Sequence, residues 1–508
     1  MCGKSVPFRL AFLSFLRLRR ARTRQSLKEF KVICAARQSR RRISGGTAAE
    51  SKSVGQTIFL YLQFHLSKTI NEMLKSSLSF SLKKHIAHYF IAAFFLILTQ
   101  LPANAQGINY PGNVPANSGG EGNARTDADN LFTRNNAAAL TEIEDEEIPN
   151  KKSHWRVMVE AQGVYCHYRR IYTPNGFAQS VKSAASIALP TLSGEITYTA
   201  GSRRYAFGVG LSQTFGFESK LKDSETVLGN QAQFYDTRTA SNDVALAGAI
   251  RLHKKLSIGG SFIFGRGFLV QTTPIAQLAA IGIIKQSRLD VSKIGGVGAS
   301  FNVHFRPTEK VSFGFNYKTA RQYDYNGTLD TVQPVITPTG LQLLPLKLSV
   351  KVPFKLPSIF EFGIKVQPTK RFFVDFDYRF YRYGKALDRI RVLDKQTGTP
   401  IFIQNINAKD VHLLIIGGIY KLNPTTKILL GGGYTTNALS DRSFSPALNN
   451  SGGFSLSGGI GRRISNCWIN LGVTGIFALY RRINPAPQVP FPGDYKSYGL
   501  IVGLGLRF

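Results

Sequence analysis

Cysteine is nearly missing: four in 508 residues, at Cys2, Cys34, Cys166 and Cys467. No Cys-x-x-Cys pair or Cys/His ligand spacing occurs, which excludes a zinc site and a disulfide framework. No metal and no cofactor are expected. Acidic residues are also scarce, 30 against 64 Lys and Arg, for a formal net charge of +34. Such a charge invites a nucleic-acid reading. Its placement argues against one, because residues 1–72 alone hold 15 basic and 3 acidic residues. No apolar run approaches the roughly 20 residues of a spanning helix. The apolar run Tyr89–Leu98 has ten residues, and no segment repeats as a long amphipathic helix. The Gly-rich pieces IGGVGAS and LLGGGY lie within strand patterns, with no helix behind them to bind phosphate. No Ser/His/acid cluster gathers at one position, so no catalytic residue is assigned and an enzyme is not expected.

The apolar run belongs to a three-part pattern. Lys75, Lys83 and Lys84 precede it, and Ala103-Asn104-Ala105 follows as a small-x-small cleavage site. Residues 73–105 therefore read as a secretory signal. Met73 stands where such a signal should begin, so residues 1–72 are expected to be an upstream extension from a misplaced start. Its clusters RLRRARTR and RQSRRR are the competing reading, as a true basic tail. The mature chain is expected to start at Gln106, with residues 106–152 as one segment and 153–508 as another.

From Trp155 onward, period-two alternation dominates. In 203–217, Tyr205, Phe207, Val209, Leu211, Phe215 and Phe217 alternate with small residues. The end alternates likewise, through Tyr498, Leu500, Val502, Leu504, Leu506 and Phe508. Fourteen strands are expected, among them one near 370–394 and the last near 494–508. Short turns (HKK, RPTEK, QPTK, NPTTK) alternate with longer loops such as 219–237, 271–288 and 327–346. Even strand number with loops sorted by length is how an outer-membrane barrel is built. Closure leaves no edge, and lipid solvates the apolar outer face. The fold class is thus an all-β transmembrane antiparallel barrel of about 14 strands. Both ends of the chain fall on the short-turn, periplasmic side.

Within KRFFVDFDYRFYRY (370–383), Phe372, Val374, Phe376, Tyr378 and Phe380 form one face, assigned to lipid. Phe373, Asp375, Asp377, Arg379 and Tyr381 form the other, assigned to the lumen. The two carboxylates share a face with Arg379, so they read as a polar stripe rather than an acid/base pair.

Several stretches resemble one family, the long-chain fatty-acid transporter (FadL-type) outer-membrane proteins, which include aromatic-hydrocarbon channels. GGEGNARTDADNLFTRNNAAAL is similar to a Gly-Asn-Ala stretch leading to an Asn-Pro-Ala-Gly-Leu box, here Asn136-Ala137-Ala138-Ala139-Leu140 without the proline. RPTEKVSFGFNYKTARQYDYNGTL resembles the family's Pro-Thr-turn hairpin. Leu356-Pro357 with FEFGIKVQPTKRFFVDFDYRFYRY resembles its Leu-Pro strand and aromatic return strand. FSPALNNSGGFSLSGGIGRR is similar to a late loop and strand. The resemblance implies a lumen closed by an N-terminal hatch (plug), residues 106–152, carrying Asn136, Ala137 and Ala138. It implies capture of hydrophobic substrate by apolar loops and sideways release at a kink in the third strand, where Ser212 and Gly216 lie. The terminal Phe508 resembles the signal read by the barrel-assembly machinery.

Candidate loop contacts are Ile275, Leu278, Ile281 and Ile283 in one loop, and Val335 and Leu343 in the next. A packed loop helix is the alternative for the first. A carboxylate substrate needs a cation in an apolar pocket. Lys318 faces the lumen by parity with Ser312, Gly314 and Asn316. Arg321 has the other parity and would need a bulge. His167, Arg169 and Arg170 are candidates for meeting lipopolysaccharide phosphates or an anionic substrate. The expected function is passive uptake of hydrophobic compounds by a monomeric, multi-pass outer-membrane protein of a Gram-negative cell, among outer-membrane lipids. A diffusion porin for small polar or anionic solutes is the alternative.

Overall fold

The computed structural model describes residues 136–142, 153–171, 183–200, 205–223, 233–275, 285–444, 452–465, 467–484 and 493–508. The proposed signal, the upstream extension and most of the proposed hatch lie outside the described residues. So do Leu278, Ile281 and Ile283.

Nineteen strand segments form one antiparallel sheet that closes on itself. The first six are β1 (Ser153–Ile171), β2 (Ser183–Ala200), β3 (Tyr205–Asp223), β4 (Gln233–His253), β5 (Leu256–Pro274) and β6 (Gln286–Thr308). β7 (Val311–Lys318) and β8 (Arg321–Thr337) follow, then β9 (Gly340–Leu356), β10 (Ile359–Thr369) and β11 (Phe372–Tyr381). β12 (Arg389–Asp394) and β13 (Pro400–Asn405) form a hairpin. β14 (Val411–Asn423), β15 (Thr426–Thr435), β16 (Gly453–Ile464), β17 (Cys467–Ala478), β18 (Arg481–Ile483) and β19 (Gly493–Arg507) complete the chain. Both β7 and β8 pair with β6, so they are two parts of one stave, and β9 and β10 are likewise one. The wall is a closed barrel of 14 strands, shut by β1 against β19. Val157 and Phe508 exchange backbone hydrogen bonds at 3.1 and 2.9 Å, fixing the last residue into the seam.

The alternation sets two surfaces. Outward residues such as Leu430, Leu456, Leu471 and Val502 are exposed, as lipid-facing residues are in such a wall. Inward residues are small or polar, including Thr197, Ser261, Asn302, Ser312, Asn316 and Thr474, all buried. Around the outside, Phe301, Tyr317, Phe360 and Phe380 are successive cross-strand partners. Tyr434, Phe454, Phe477 and Tyr498 continue the row on later strands. Tyr317 and Phe360 lie 4.7 Å apart, and Phe454 and Phe477 5.2 Å. Each stands about ten residues or fewer above the turn end of its strand, the length of a tilted membrane strand. Together they form an aromatic girdle at the long-loop side.

Four expectations are corrected. Residues 370–394 are not one strand: after Tyr381 the chain makes a short helix, Tyr383–Ala386, before β12 resumes the wall beside β9. The loop expected at 327–346 is a continuous hairpin, with Asn326–Thr337 of β8 paired to Gly340–Lys351 of β9. Backbone pairing won there because β-branched and apolar residues run through both arms. The loop expected at 219–237 is shorter, since β3 and β4 pair as far as Asp223 and Gln233. The single face read across 203–217 does not run through either. The β3–β4 register slips between Gln213 and Phe215, where Thr214 is an extra residue.

Candidate functional site in the lumen

The interior is stratified. On the turn side, the 3-10 turn Ala137–Glu142 lies against the inner faces of β2 to β6. Asn136 Nδ2 donates to Val303 O at 3.1 Å, and Ala137 N donates to Asn302 Oδ1 at 3.3 Å. Thr141 Oγ1 donates to Ser257 Oγ at 2.6 Å, and Thr199 Oγ1 donates to Leu140 O at 3.3 Å. Arg251 donates to Thr141 O. Ala137, Ala139 and Leu140 pack on Ala206, Ala247 and Ala249. Small side chains there leave the depth that the turn occupies. Gly259 is the tightest point, since a Cβ would meet Ala138 N at 2.8 Å and Gly248 O at 2.9 Å.

From Asn302 a polar chain runs along the wall. Asn302 Nδ2 donates to Asn316 Oδ1 at 2.6 Å, and Asn316 Nδ2 donates to Glu361. Glu361, 2% exposed, faces Lys318 at 3.2 Å and Arg379 at 3.6 Å. Arg379 reaches Asp377 at 3.9 Å. Asp375, Asp377 and Arg379 are all buried on the inward face of β11, while Phe372 and Phe376 are exposed. Lys318 faces inward with Ser312, Gly314 and Asn316.

Above this lies a second ion pair. Arg321 NH1 is 2.6 Å from Asp243 Oδ1, which also accepts from Ser241 Oγ at 2.7 Å. Ser241 Oγ and the Tyr323 hydroxyl share a hydrogen bond of 2.7 Å. Arg321 points inward because Thr319 and Ala320 interrupt the stave, and the same reversal occurs on β6 at Gly295, φ +122. Glycines make the floor for these long side chains. A Cβ at Gly296 would sit 2.1 Å from the Tyr323 ring, and one at Gly267 2.3 Å from the Tyr325 hydroxyl.

The long-loop end is apolar. Tyr323, Tyr325 and Phe354 stack with centroids 5.4 and 5.5 Å apart. Val350, Val352 and Leu356 extend this wall, and Tyr383, Leu387, Ile390, Val392 and Ile406 pack on it from the insert between β11 and β14. The insert's neck is tied by Gly384 N donating to Asp410 Oδ1 at 2.8 Å.

The two cations expected to receive a substrate carboxylate thus have carboxylates of the wall beside them. Glu361 and Asp243 were missed because a partner on another strand leaves no local pattern. The insert could have been found: its DKQTGTP turn lies between two alternating runs, a hairpin signature. Val335 and Leu343 are half-buried on adjoining strands, and Ile275 N donates to Lys285 O at 2.9 Å at the loop base. Ser212 is buried opposite Asp243, and Gly216 pairs with Ala240 beyond the register slip.

β3 differs strongly between its two edges. It pairs with β4 from Tyr205 to Asp223, but with β2 only from Ala206↔Thr199 to Leu211↔Gly194. Above Gly194, among the described residues, β2 pairs with β1 alone. Pro190, which has no N–H to donate, lies in that stretch.

A family model described as outer membrane protein transport protein (OMPP1/FadL/TodX) matches residues 96–508. The fold is similar to that of a Pseudomonas aeruginosa FadL homologue, with TM-score 0.62 and 14% identity over 80% of this chain and 99% of that one. It is also similar to the Pseudomonas putida toluene transporter TodX, with TM-score 0.58 and 16% identity over 80% and 98%. A third likeness is to the Ralstonia pickettii toluene transporter TbuX, with TM-score 0.53 and 17% identity over 80% and 99%. No curated protein matches by sequence.

Proposed function

The chain belongs to the outer membrane protein transport family OMPP1/FadL/TodX, and we propose that it admits hydrophobic compounds passively and releases them sideways through the wall. Long-chain fatty acids and hydrocarbons are the two substrate classes, and uncharged hydrocarbons suit the interior better. A carboxylate guest would compete with Asp243 for Arg321 and with Glu361 for Lys318, and burying it unpaired is costly. Solved relatives described as toluene transporters point the same way. Capture begins on apolar loop surface. Ile336 is 89% exposed near the β8–β9 tip, and Leu341 and Leu344 stand beside it. Val335 and Leu343 belong to the same hairpin, and Ile275, Leu278, Ile281 and Ile283 to the neighbouring loop. The guest then moves against the Tyr323–Tyr325–Phe354 wall, which contributes contact area without demanding a polar partner.

The observation that carries the reading is the short β2–β3 ladder. An unpaired edge next to hydrocarbon is tolerated only where it lines a cavity or passage, and the lipid-facing alternation on either side gives an apolar guest somewhere to go. Residues 106–152 act as the hatch, held by Asn136, Ala137 and Ala138, and it keeps polar solutes out. Phe508 serves barrel assembly, and the protein works as a monomer. The test is uptake of labelled oleate and labelled toluene by outer-membrane-competent cells with and without the protein. Toluene uptake should rise more than oleate uptake. Equal rates with and without the protein for both compounds would remove the transport reading. Deleting Thr214 and replacing Pro190 by Val lets β3 and β2 pair further. That variant should fold, as judged by heat-modifiable gel migration, and lose most uptake. Full uptake in it would leave transport standing but overturn sideways release.

A further inference from the structure

Above the aromatic girdle, the outer face changes character on the staves of β7–β8 and β9–β10. On β7 the outward row Phe313, Phe315, Tyr317 ends at the girdle, and β8 continues with Gln322, Asp324 and Asn326. On the same stave as Phe360, β9 carries Lys355, Lys351 and Lys347 outward, alternating with buried Phe354, Val352 and Val350. β12 adds Arg391 on this face, because Leu393 pairs with Lys351 and alternation places Ile390 and Val392 inward. Lys355 stands opposite Gln322, only a few residues above the Tyr317–Phe360 contact.

Acidic residues do not cancel this face. Asp324 lies 3.2 Å from Lys351 and Asp330 3.7 Å from Lys347, with the lysines 42% and 70% exposed. Exposed pairs of this kind contribute little to stability and yield readily to a stronger anion. Asp290 is engaged by Arg288 at 3.4 Å, and Lys355 and Arg391 remain in excess. Loop residues reaching water would need no such excess at one height. A cationic patch just above the hydrocarbon boundary meets the charged headgroup layer, where an anionic surface attracts each Lys and Arg.

We infer that Lys351, Lys355 and Arg391 form a binding site for the phosphate groups of lipopolysaccharide in the outer leaflet. Lysines act on phosphate as mobile point charges, and the guanidinium can engage two oxygens at once. The girdle below supplies the acyl-chain contact that free phosphate lacks. The site lies on the projecting sheet that also carries the inner apolar wall, on the opposite face. Bound lipid would therefore hold the β8–β9 hairpin upright without entering the lumen.

The full chain, purified in detergent, is titrated with deep-rough lipopolysaccharide and with the same lipid after enzymatic dephosphorylation. Binding is read by native mass spectrometry and by the shift in melting temperature. The phosphorylated form should bind at least about tenfold tighter, with affinity falling as salt rises. The variant K351Q/K355Q/R391Q should lose that preference while keeping heat-modifiable migration. The variant K254Q/K310Q/K370Q, at exposed turn-side lysines, should keep it. Equal binding of both lipid forms, or an unchanged preference in the triple variant, overturns the proposal. So does competition by millimolar inorganic phosphate, which would make this a free-anion site.

Discussion

The two halves of the lumen hold their contents by different physics. Towards the turns, the 3-10 turn at 137–142 is fixed by directional bonds that run on through Asn302 and Asn316 to Glu361, Lys318 and Arg379. Towards the long loops, the insert carrying Ile390, Val392 and Ile406 is held to Val350, Val352 and Phe354 by apolar contact. A buried polar network is costly to break at any single point, because what remains is desolvated and unpaired. Apolar contact is non-directional, and a hydrophobic guest can replace one contact with another of similar area. The lower half therefore suits a fixed plug and the upper half an exchangeable surface.

The sharpest way to break this comparison is to remove Glu361. Glu361→Ala leaves buried Arg379 and part-buried Lys318 near each other without their shared carboxylate and should destabilise the barrel by roughly 3–5 kcal/mol. Guanidinium unfolding followed by fluorescence of Trp155 and Trp468 measures it. The double variant Glu361→Leu/Lys318→Leu should recover part of the loss. A cost below about 1 kcal/mol for the single variant would mean the network is screened, and the halves would not differ as argued. Next in size is Gly259→Val. Its side chain would occupy the position of Ala137 and Ala138, costing roughly 1–3 kcal/mol by overpacking. The functional reading is larger than the energetic one: ion conductance across planar bilayers should rise as the turn lifts from the wall. Unchanged conductance would show that this contact does not hold the plug.

Much of the lower half was legible because period two is a local property. Asp375, Asp377 and Arg379 follow from alternation within one strand, and Lys318 from three inward neighbours. Arg321 shows where alternation stops being enough. Its inward position depends on the interruption at Thr319–Ala320 and the matching reversal at Gly295 in a neighbouring strand. Such slips are set by pairing between strands, not by the residues of one strand. The same reason hid the bulge at Thr214, across which the pattern in 203–217 looked continuous. Glu361 sat in plain alternation, but its meaning came from Lys318 and Arg379, which approach only after β10 docks between β7 and β11. The upper half was least legible. An insert that folds back onto the wall shares its composition with any extracellular loop, and only its partners make it a lining.

A smaller effect tests the upper half directly. Ile390→Val removes one methylene from the insert face and should cost about 0.5–1.5 kcal/mol. If the insert is an exchangeable surface, uptake of toluene should rise or hold steady rather than fall. A several-fold loss of uptake would make the insert part of a rigid pocket instead.

The smallest effect concerns the tip of that insert. Asp394 accepts hydrogen bonds from Gln396 N at 2.9 Å, Thr397 N at 2.7 Å and Thr397 Oγ1 at 3.0 Å. The turn then closes at Gly398, φ +71, whose N–H donates to Asp394 O at 2.9 Å. Bonds to Thr397 and Gln396 favour the ionised carboxylate and hold the Asp394 pKa below its ordinary value. A lowered folded pKa stabilises the turn above the unfolded value of about 4, and that support is lost as pH falls through the folded pKa. Amide exchange at Gln396 and Thr397 should therefore be protected at pH 6 and lose protection below pH ~4, after correction for intrinsic exchange. Asp394→Asn should remove the pH dependence while leaving the β12–β13 pairing in place. Because the turn is fully exposed, the change should stop at the tip. Unfolding of the apolar packing beneath over the same pH range would show that the tip and the mouth are one cooperative unit, and the upper half could not then exchange its contacts independently.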